Sequence, residues 1–186
     1  MIFKPHPYQQ YCIRQILQKP AIGLFLDMGL GKTAITLTAV NELKYGRFLV
    51  RRVLVIAPKK VAEATWQREA QKWDNLKHLR FSTVLGGETK RIRALNTPAD
   101  VYVINRENVV WLVTYYQNDW PFDMVVCDEF SSFKSHSAKR FKALAAIRPH
   151  IRRIVGLTGT PSPNGLMDLW SQVYLLDRGE RLGRYY

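Results

Sequence analysis

"AIGLFLDMGLGKTAI", residues 21–35, decides how this chain is read. An apolar run from Ala21 to Leu26 meets two glycines, Gly29 and Gly31, and then a segment that opens with Lys32 and Thr33 and reads as a helix. Glycines at a strand-to-helix turn let backbone N–H groups converge on an anion, and the helix that follows adds its positive end. The backbone of Gly29, Leu30 and Gly31 would then cradle phosphates. Lys32 would reach the β- and γ-phosphates as a point charge, and the Thr33 hydroxyl would ligate magnesium. The fit to G-x-x-x-x-G-K-[ST] is incomplete, because Leu26 holds the first glycine position; a tight surface turn is the competing structural reading.

Outward from this turn the pattern repeats. Short β-branched runs at 21–26, 53–57, 81–85, 100–104, 123–127 and 153–157 predict strands. Amphipathic stretches at about 8–19, 32–45, 60–73, 88–95, 106–116, 137–147 and 165–177 predict helices between and after them. Strands apolar on both faces and alternating with helices imply an α/β fold, a mainly parallel sheet with helices on both faces. Ligands bind such sheets at the carboxyl ends of the strands. With 186 residues, 47% of them hydrophobic, and no repeat or linker, one domain over 1–186 is expected.

Composition narrows the function classes. No apolar run approaches the roughly 18–20 residues of a membrane-spanning helix, and "MIFKPHPYQQ" has no signal region. The expectation is a soluble, cytoplasmic protein without a membrane partner. Cys12 and Cys127 lie far apart, which points to a reduced compartment and no disulfide framework. The 28 Lys and Arg against 15 Asp and Glu give a formal charge of +13, and residues 130–167 hold seven basic residues and no acid. Any one basic cluster reads equally as a solvated face, but the total favours a polyanionic partner, nucleic acid first.

"MVVCDEF", residues 124–130, is an apolar strand that ends in two carboxylates. Acids in such a place are costly unless they hold a cation or a proton in transit. Asp128 would bind magnesium through water and Glu129 would polarise a water that attacks a phosphate. Together with Lys32 and Thr33 on the same side of one sheet, this pair predicts nucleotide hydrolysis.

"VGLTGTPSPNGLMDLWSQVYLLD", residues 155–177, resembles the L-T-G-T-P segment of superfamily-two helicases, and Asn164 with Leu169 and Trp170 resembles the Swi/Snf-like ATPases that pump double-stranded DNA. "PYQQYCIRQIL" (7–17) is similar to that family's adenine-reading segment, "DMGLGKT" to its D-E-M-G-L-G-K-T, "VLVIAPKKVAEATWQRE" (53–69) to its first DNA-contact segment, and "DEFSSFKS" (128–135) to its D-E-A-H-R-I-K-N. The shared order spans nearly the whole chain.

The resemblance implies a RecA-like P-loop lobe, the helicase ATP-binding domain, with ATP and Mg2+ as cofactors. It implies that Gln9 reads the adenine edge and that Thr158, Gly159 and Thr160 couple phosphate chemistry to lobe movement. It places sequence-independent contacts to double-stranded DNA in the loops after the strands, at Lys59, Lys60, Gly87, Asn105 and Arg106. Trp66 and Trp73, seven apart on one predicted helix, read as core rather than base-stacking residues. A second RecA-like lobe, which in relatives brings an arginine worth roughly a thousandfold or more, is expected beyond this chain, and the lobe alone should hydrolyse ATP poorly.

Two departures touch coupling. Phe130 and Ser131 stand where the family has alanine and histidine; Lys134 keeps the family lysine and Ser135 replaces its asparagine. Competing readings are a lobe of a strand-separating helicase or restriction-enzyme motor, and, from another class, a non-catalytic basic nucleic-acid-binding module with a vestigial nucleotide site. A compact phage or bacterial motor is favoured over a nuclear one.

Overall fold

Six short apolar runs form one sheet, the central ones buried on both faces and the edge ones only in part. In the computed structural model, which describes residues 1–26, 31–129, 138–159, 175, 176 and 178, these are β1 (Ala21–Phe25), β2 (Val53–Ala57), β3 (Phe81–Val84), β4 (Val101–Asn105), β5 (Met124–Asp128) and β6 (Arg153–Thr158). All pairings are parallel, in the order β1-β6-β5-β2-β4-β3. Every residue of β2 and β4 is buried, and alternation divides them between two cores. Val53, Val55 and Ala57 face one layer; Leu54 and Ile56 face the other.

The first layer holds α1 (Pro7–Gln18), α2 (Lys32–Asn41) and α3 (Lys59–Gln71), which bury Ile16, Ile35, Leu37 and Trp66 against the sheet. The second holds α5 (Val109–Tyr116) and α6 (Lys139–Ile147), through Val109, Leu112, Phe141 and Leu144, with Leu95 of α4 (Glu88–Leu95). The expected α/β architecture with helices on both faces is therefore the observed one.

Boundaries shift where local chemistry overrides the pattern. The helix expected over 32–45 ends at Asn41 and continues as a widened π-turn, Glu42–Gly46. The stretch expected as helix from 106 begins as a tight turn, Arg106–Asn108, before α5. Lys59, expected in the loop before the helix at 60–73, joins Lys60 in the first turn of α3, because Pro58 at the N-cap, with φ −57°, is already set for helix entry. The last expected helix lies outside the described residues except for Leu175 and Leu176, whose carbonyls accept hydrogen bonds from the buried Arg148 guanidinium. Cys12 and Cys127 are free and buried, in agreement with the absence of a disulfide framework.

Candidate functional site

Gly31 turns the chain into α2 with φ 79°, a left-handed conformation that costs glycine nothing. A side chain there would also collide with Gln9, whose Nε2 stands 2.6 Å from where a Cβ would sit. The adenine-reading candidate is thus pressed against the end of the phosphate-loop candidate. Its other amide atom, Oε1, accepts the His6 backbone N–H at 2.8 Å, which ties Gln9 into the capping of α1 and keeps it 6% exposed.

Among the described residues, no side chain caps the helix that Gly31 opens, and its first turn has no acid. Its leading N–H groups and positive dipole end are left for an anion, with Lys32 and Thr33 at the same place. This donor set fits a polyphosphate. Gly29 and Leu30 lie outside the described residues.

Asp128 ends β5 at the same edge. Register brings the pieces together: Phe25 of β1 pairs with Thr158, and Leu157 pairs with Asp128, so β6 lies between the phosphate loop and the acid. The Leu26 N–H extends this ladder to the Thr158 carbonyl at 3.1 Å. Burial pushes the Asp128 carboxyl above the usual carboxylate range. The Trp66 indole and the Lys32 charge pull it back, while Glu129's charge adds to the rise. A carboxyl that ends a buried strand on the same sheet edge as the start of α2 fits a divalent cation, which would offset the cost of burying its charge.

Glu129 follows with φ 57°, an uncommon conformation for a residue with a side chain, and its N–H bonds to Asp128 Oδ1 at 3.0 Å. Strain of this kind persists where a side chain must be aimed. Thr158 is buried and Gly159 is exposed at the end of β6. Thr160, Phe130, Ser131, Lys134 and Ser135 lie outside the described residues.

Trp66 is the residue whose part the sequence did not show. It is core, as expected, at 0% exposure, yet its indole Nε1 donates to Asp128 Oδ2 at 3.1 Å. Its spacing on α3 signalled burial; nothing in the spacing signalled the partner, which comes from a strand 62 positions away. Trp73 packs on the same core, against Phe3 with ring centroids 5.1 Å apart.

The DNA-contact candidates occupy the other half of the same edge, beyond β2, β4 and β3. Lys59 and Lys60 are exposed, and Gly87, with open space where a Cβ would be, caps α4. Asn105 ends β4 opposite Ala57. Its amide donates to Glu107 at 3.0 Å and accepts from Asn108 at 2.7 Å, so that side chain serves the local turn, whereas Arg106 beside it remains partly exposed.

The family model described as SNF2-related domain matches residues 9–180. Protein p41 of Acyrthosiphon pisum secondary endosymbiont phage 1 is 44% identical over 190 residues, covering 99% of this chain and 41% of that protein. The Mus musculus DNA excision repair protein ERCC-6-like is 33% identical over 171 residues, 84% of this chain and 13% of that protein. The DNA repair and recombination protein RAD54 of Oryza sativa is 31% identical over 182 residues, 90% of this chain and 18% of that protein. The solved SWI2/SNF2 ATPase core of Sulfolobus solfataricus, in complex with dsDNA, superposes with a TM-score of 0.74 at 23% identity, over 96% of this chain and 38% of that one. That last likeness is one of fold. The chain spans less than half the length of each of these relatives. No helix among the described residues is long and apolar enough to cross a membrane.

Proposed function

Because the chain belongs to the SNF2-related domain family, we propose that it is the ATP-binding lobe of a DNA-dependent ATPase that moves along double-stranded DNA. One observation carries the reading: β6 alone separates β1, the strand before Lys32 and Thr33, from β5, which ends at Asp128, so the phosphate and acid candidates share one sheet edge.

In this reading the backbone of Gly29, Leu30 and Gly31 and the Lys32 ammonium hold the phosphates, and Gln9 reads the adenine edge. Thr33 and Asp128 would hold magnesium. Bound magnesium supplies positive charge that neutralises phosphate oxygens. Glu129 orients the attacking water and accepts its proton. Trp66 holds Asp128 Oδ2 in place, and because α3 also begins with Lys59 and Lys60, one rigid helix joins the acid to the DNA side of the edge.

Lys59, Lys60 and Arg106, with the backbone at Gly87 and Asn105, follow duplex phosphates without reading bases. Thr158, Gly159 and Thr160 relay the state of the nucleotide site to a second RecA-like lobe, which supplies the missing transition-state charge. The 1–186 stretch is one such lobe.

Titration with a fluorescent ATP analogue and magnesium tests the phosphate assignment. Lys32→Ala should weaken binding on the order of a hundredfold; unchanged affinity would sink the assignment. In a protein joining this chain to a second lobe, duplex DNA should stimulate hydrolysis, and movement should strip a triplex strand without separating the duplex. Separation of the duplex would favour the helicase reading.

A further inference from the structure

The opposite edge of the sheet carries a second concavity, of about 700 Å3, to which the motor reading gives no task. It forms where three neighbouring strands begin. Val53 of β2 pairs with Met124 of β5, which pairs with Arg153 of β6, so Arg52, Asp123 and Arg152 stand abreast just before them. Asp123 fastens this row: its carboxylate accepts the backbone N–H groups of Arg51 and Arg52 at 2.9 and 3.0 Å, and its carbonyl accepts those of Arg152 and Arg153 at 3.1 and 3.0 Å.

The acid that lines the concavity is thus engaged with backbone. Arg51, Arg52 and Arg152 are exposed residues and form no ion pair among the described residues; the Arg52 guanidinium lies over the Tyr102 ring, 5.9 Å from its centroid. Three planar forks at one concavity, with a single backbone-bound acid among them, attract anions and suit the two oxygens of a carboxylate or phosphate.

The rim narrows that choice. Phe48 is 82% exposed and Leu49 is 51% exposed, and both line the concavity with Trp120 and Pro121. Phe48 also has φ 56°, a region bulky residues rarely occupy. The π-turn closes through the Leu49 N–H to the Leu43 carbonyl at 2.8 Å, a helix ending that ordinarily takes glycine at the position Phe48 fills. A ring held out in water on this backbone leaves apolar surface that contact with an apolar side chain would cover.

A phosphodiester track makes poor use of Phe48 and Leu49. The lining moreover has no Lys, Ser, Thr or Asn of the kind that accompanies phosphate backbones. A duplex is also too broad and convex for a hollow of this size.

We propose that this concavity docks an acidic peptide segment of a partner protein, its carboxylates on Arg51, Arg52 and Arg152 and one apolar side chain against Phe48 and Leu49. The site is independent of the nucleotide reading, being at the other end of the strands.

Anisotropy titrations of the full chain test it with four labelled probes: a short Asp/Glu-rich peptide with a central Phe-Leu pair, the same peptide with Ala-Ala there, a single-stranded oligonucleotide and a duplex. The Phe-Leu peptide should bind at least about tenfold more tightly than the Ala-Ala peptide. Its binding should fall by about tenfold or more in Arg51→Glu/Arg152→Glu and, separately, in Phe48→Ser. Both variants change exposed side chains, so their melting curves should match the parent. Equal affinity for the two peptides, no binding of either, or retention in both variants would overturn the proposal. Tighter binding of an oligonucleotide, lost on charge reversal, would also overturn it and assign the concavity to nucleic acid.

Discussion

Asp100 stands just before β4, at the amino edge of the sheet, and Asp128 closes β5 at the carboxyl edge; both are withdrawn from water, yet their protons are held in opposite ways. Burial alone would raise Asp100, but the Arg80 backbone N–H at 2.8 Å, the Tyr45 hydroxyl at 2.6 Å and the Lys44 ammonium at 3.0 Å together hold it below the usual carboxylate range. Asp128 has the Trp66 indole, its neighbour's N–H and a more distant ammonium, and burial prevails. One edge completes its acids with fixed donors and so ties strands together. The other gives its acid, among the described residues, fewer donors, which suits a site meant to receive a cation.

The sharpest way to break this contrast is Asp100→Ala. It should cost about 3 kcal/mol in denaturant unfolding, because Lys44, Tyr45 and the Arg80 N–H lose one shared partner. A loss no larger than that of an exposed acid would show the amino edge to be no clamp.

Asp128→Asn should act the other way. The amide keeps an oxygen for the Trp66 indole and gives up only the bond from the adjacent Glu129 N–H, while it sheds the buried charge, so the melting midpoint should rise by roughly 1–2 °C, well under about 1 kcal/mol, and magnesium-dependent nucleotide binding should fail. A lower midpoint would mean that the carboxylate is as well served as Asp100.

pH separates the two acids by sign. Asp100 has a folded pKa below its unfolded value of about 3.9, so its contribution is full above that value and is lost as pH falls through the folded one. Asp128 has a raised folded pKa, so the folded state is favoured by the bound proton in acid, and that advantage is lost as pH rises through the folded value. Difference curves against Asp100→Asn and Asp128→Asn should therefore have opposite signs at neutral pH, and both should shrink in acid. Equal signs would dissolve the comparison.

A smaller effect on nucleotide binding is expected of Trp66→Phe, which keeps most of the packing and deletes one donor. It should cost about 1 kcal/mol and weaken magnesium-dependent nucleotide binding several-fold. If binding is untouched while stability falls, Trp66 is only core.

Much of this was legible in the linear chain. The central strands were readable because a parallel strand buried on both faces is an unbroken apolar run, as in "VLVIA" and "MVVC", while the edge strand β3, "FSTV", showed itself by alternation. Gly31 was readable because only glycine enters a helix cheaply with φ 79°. The π-turn after Asn41 was not, since its residues keep helical composition while their hydrogen bonds widen. Nor was the engagement of Asn105 with Glu107 and Asn108, which depends on how β4 leaves the sheet.

The sequence by itself determined the kind of layers, the family and the chemical cast: an ammonium, a hydroxyl and two acids, each next to the end of a strand. Those follow from local periodicity and motif spacing, which are properties of neighbours along the chain. Only the folded order β1-β6-β5-β2-β4-β3 decided which cast members meet. It set Thr158 between the phosphate loop and Asp128, brought Trp66 to that acid, and gathered three arginines at the far edge. Strand order is settled by crossovers and by which faces the helices cover, a balance of packing among distant segments that local spacing does not encode.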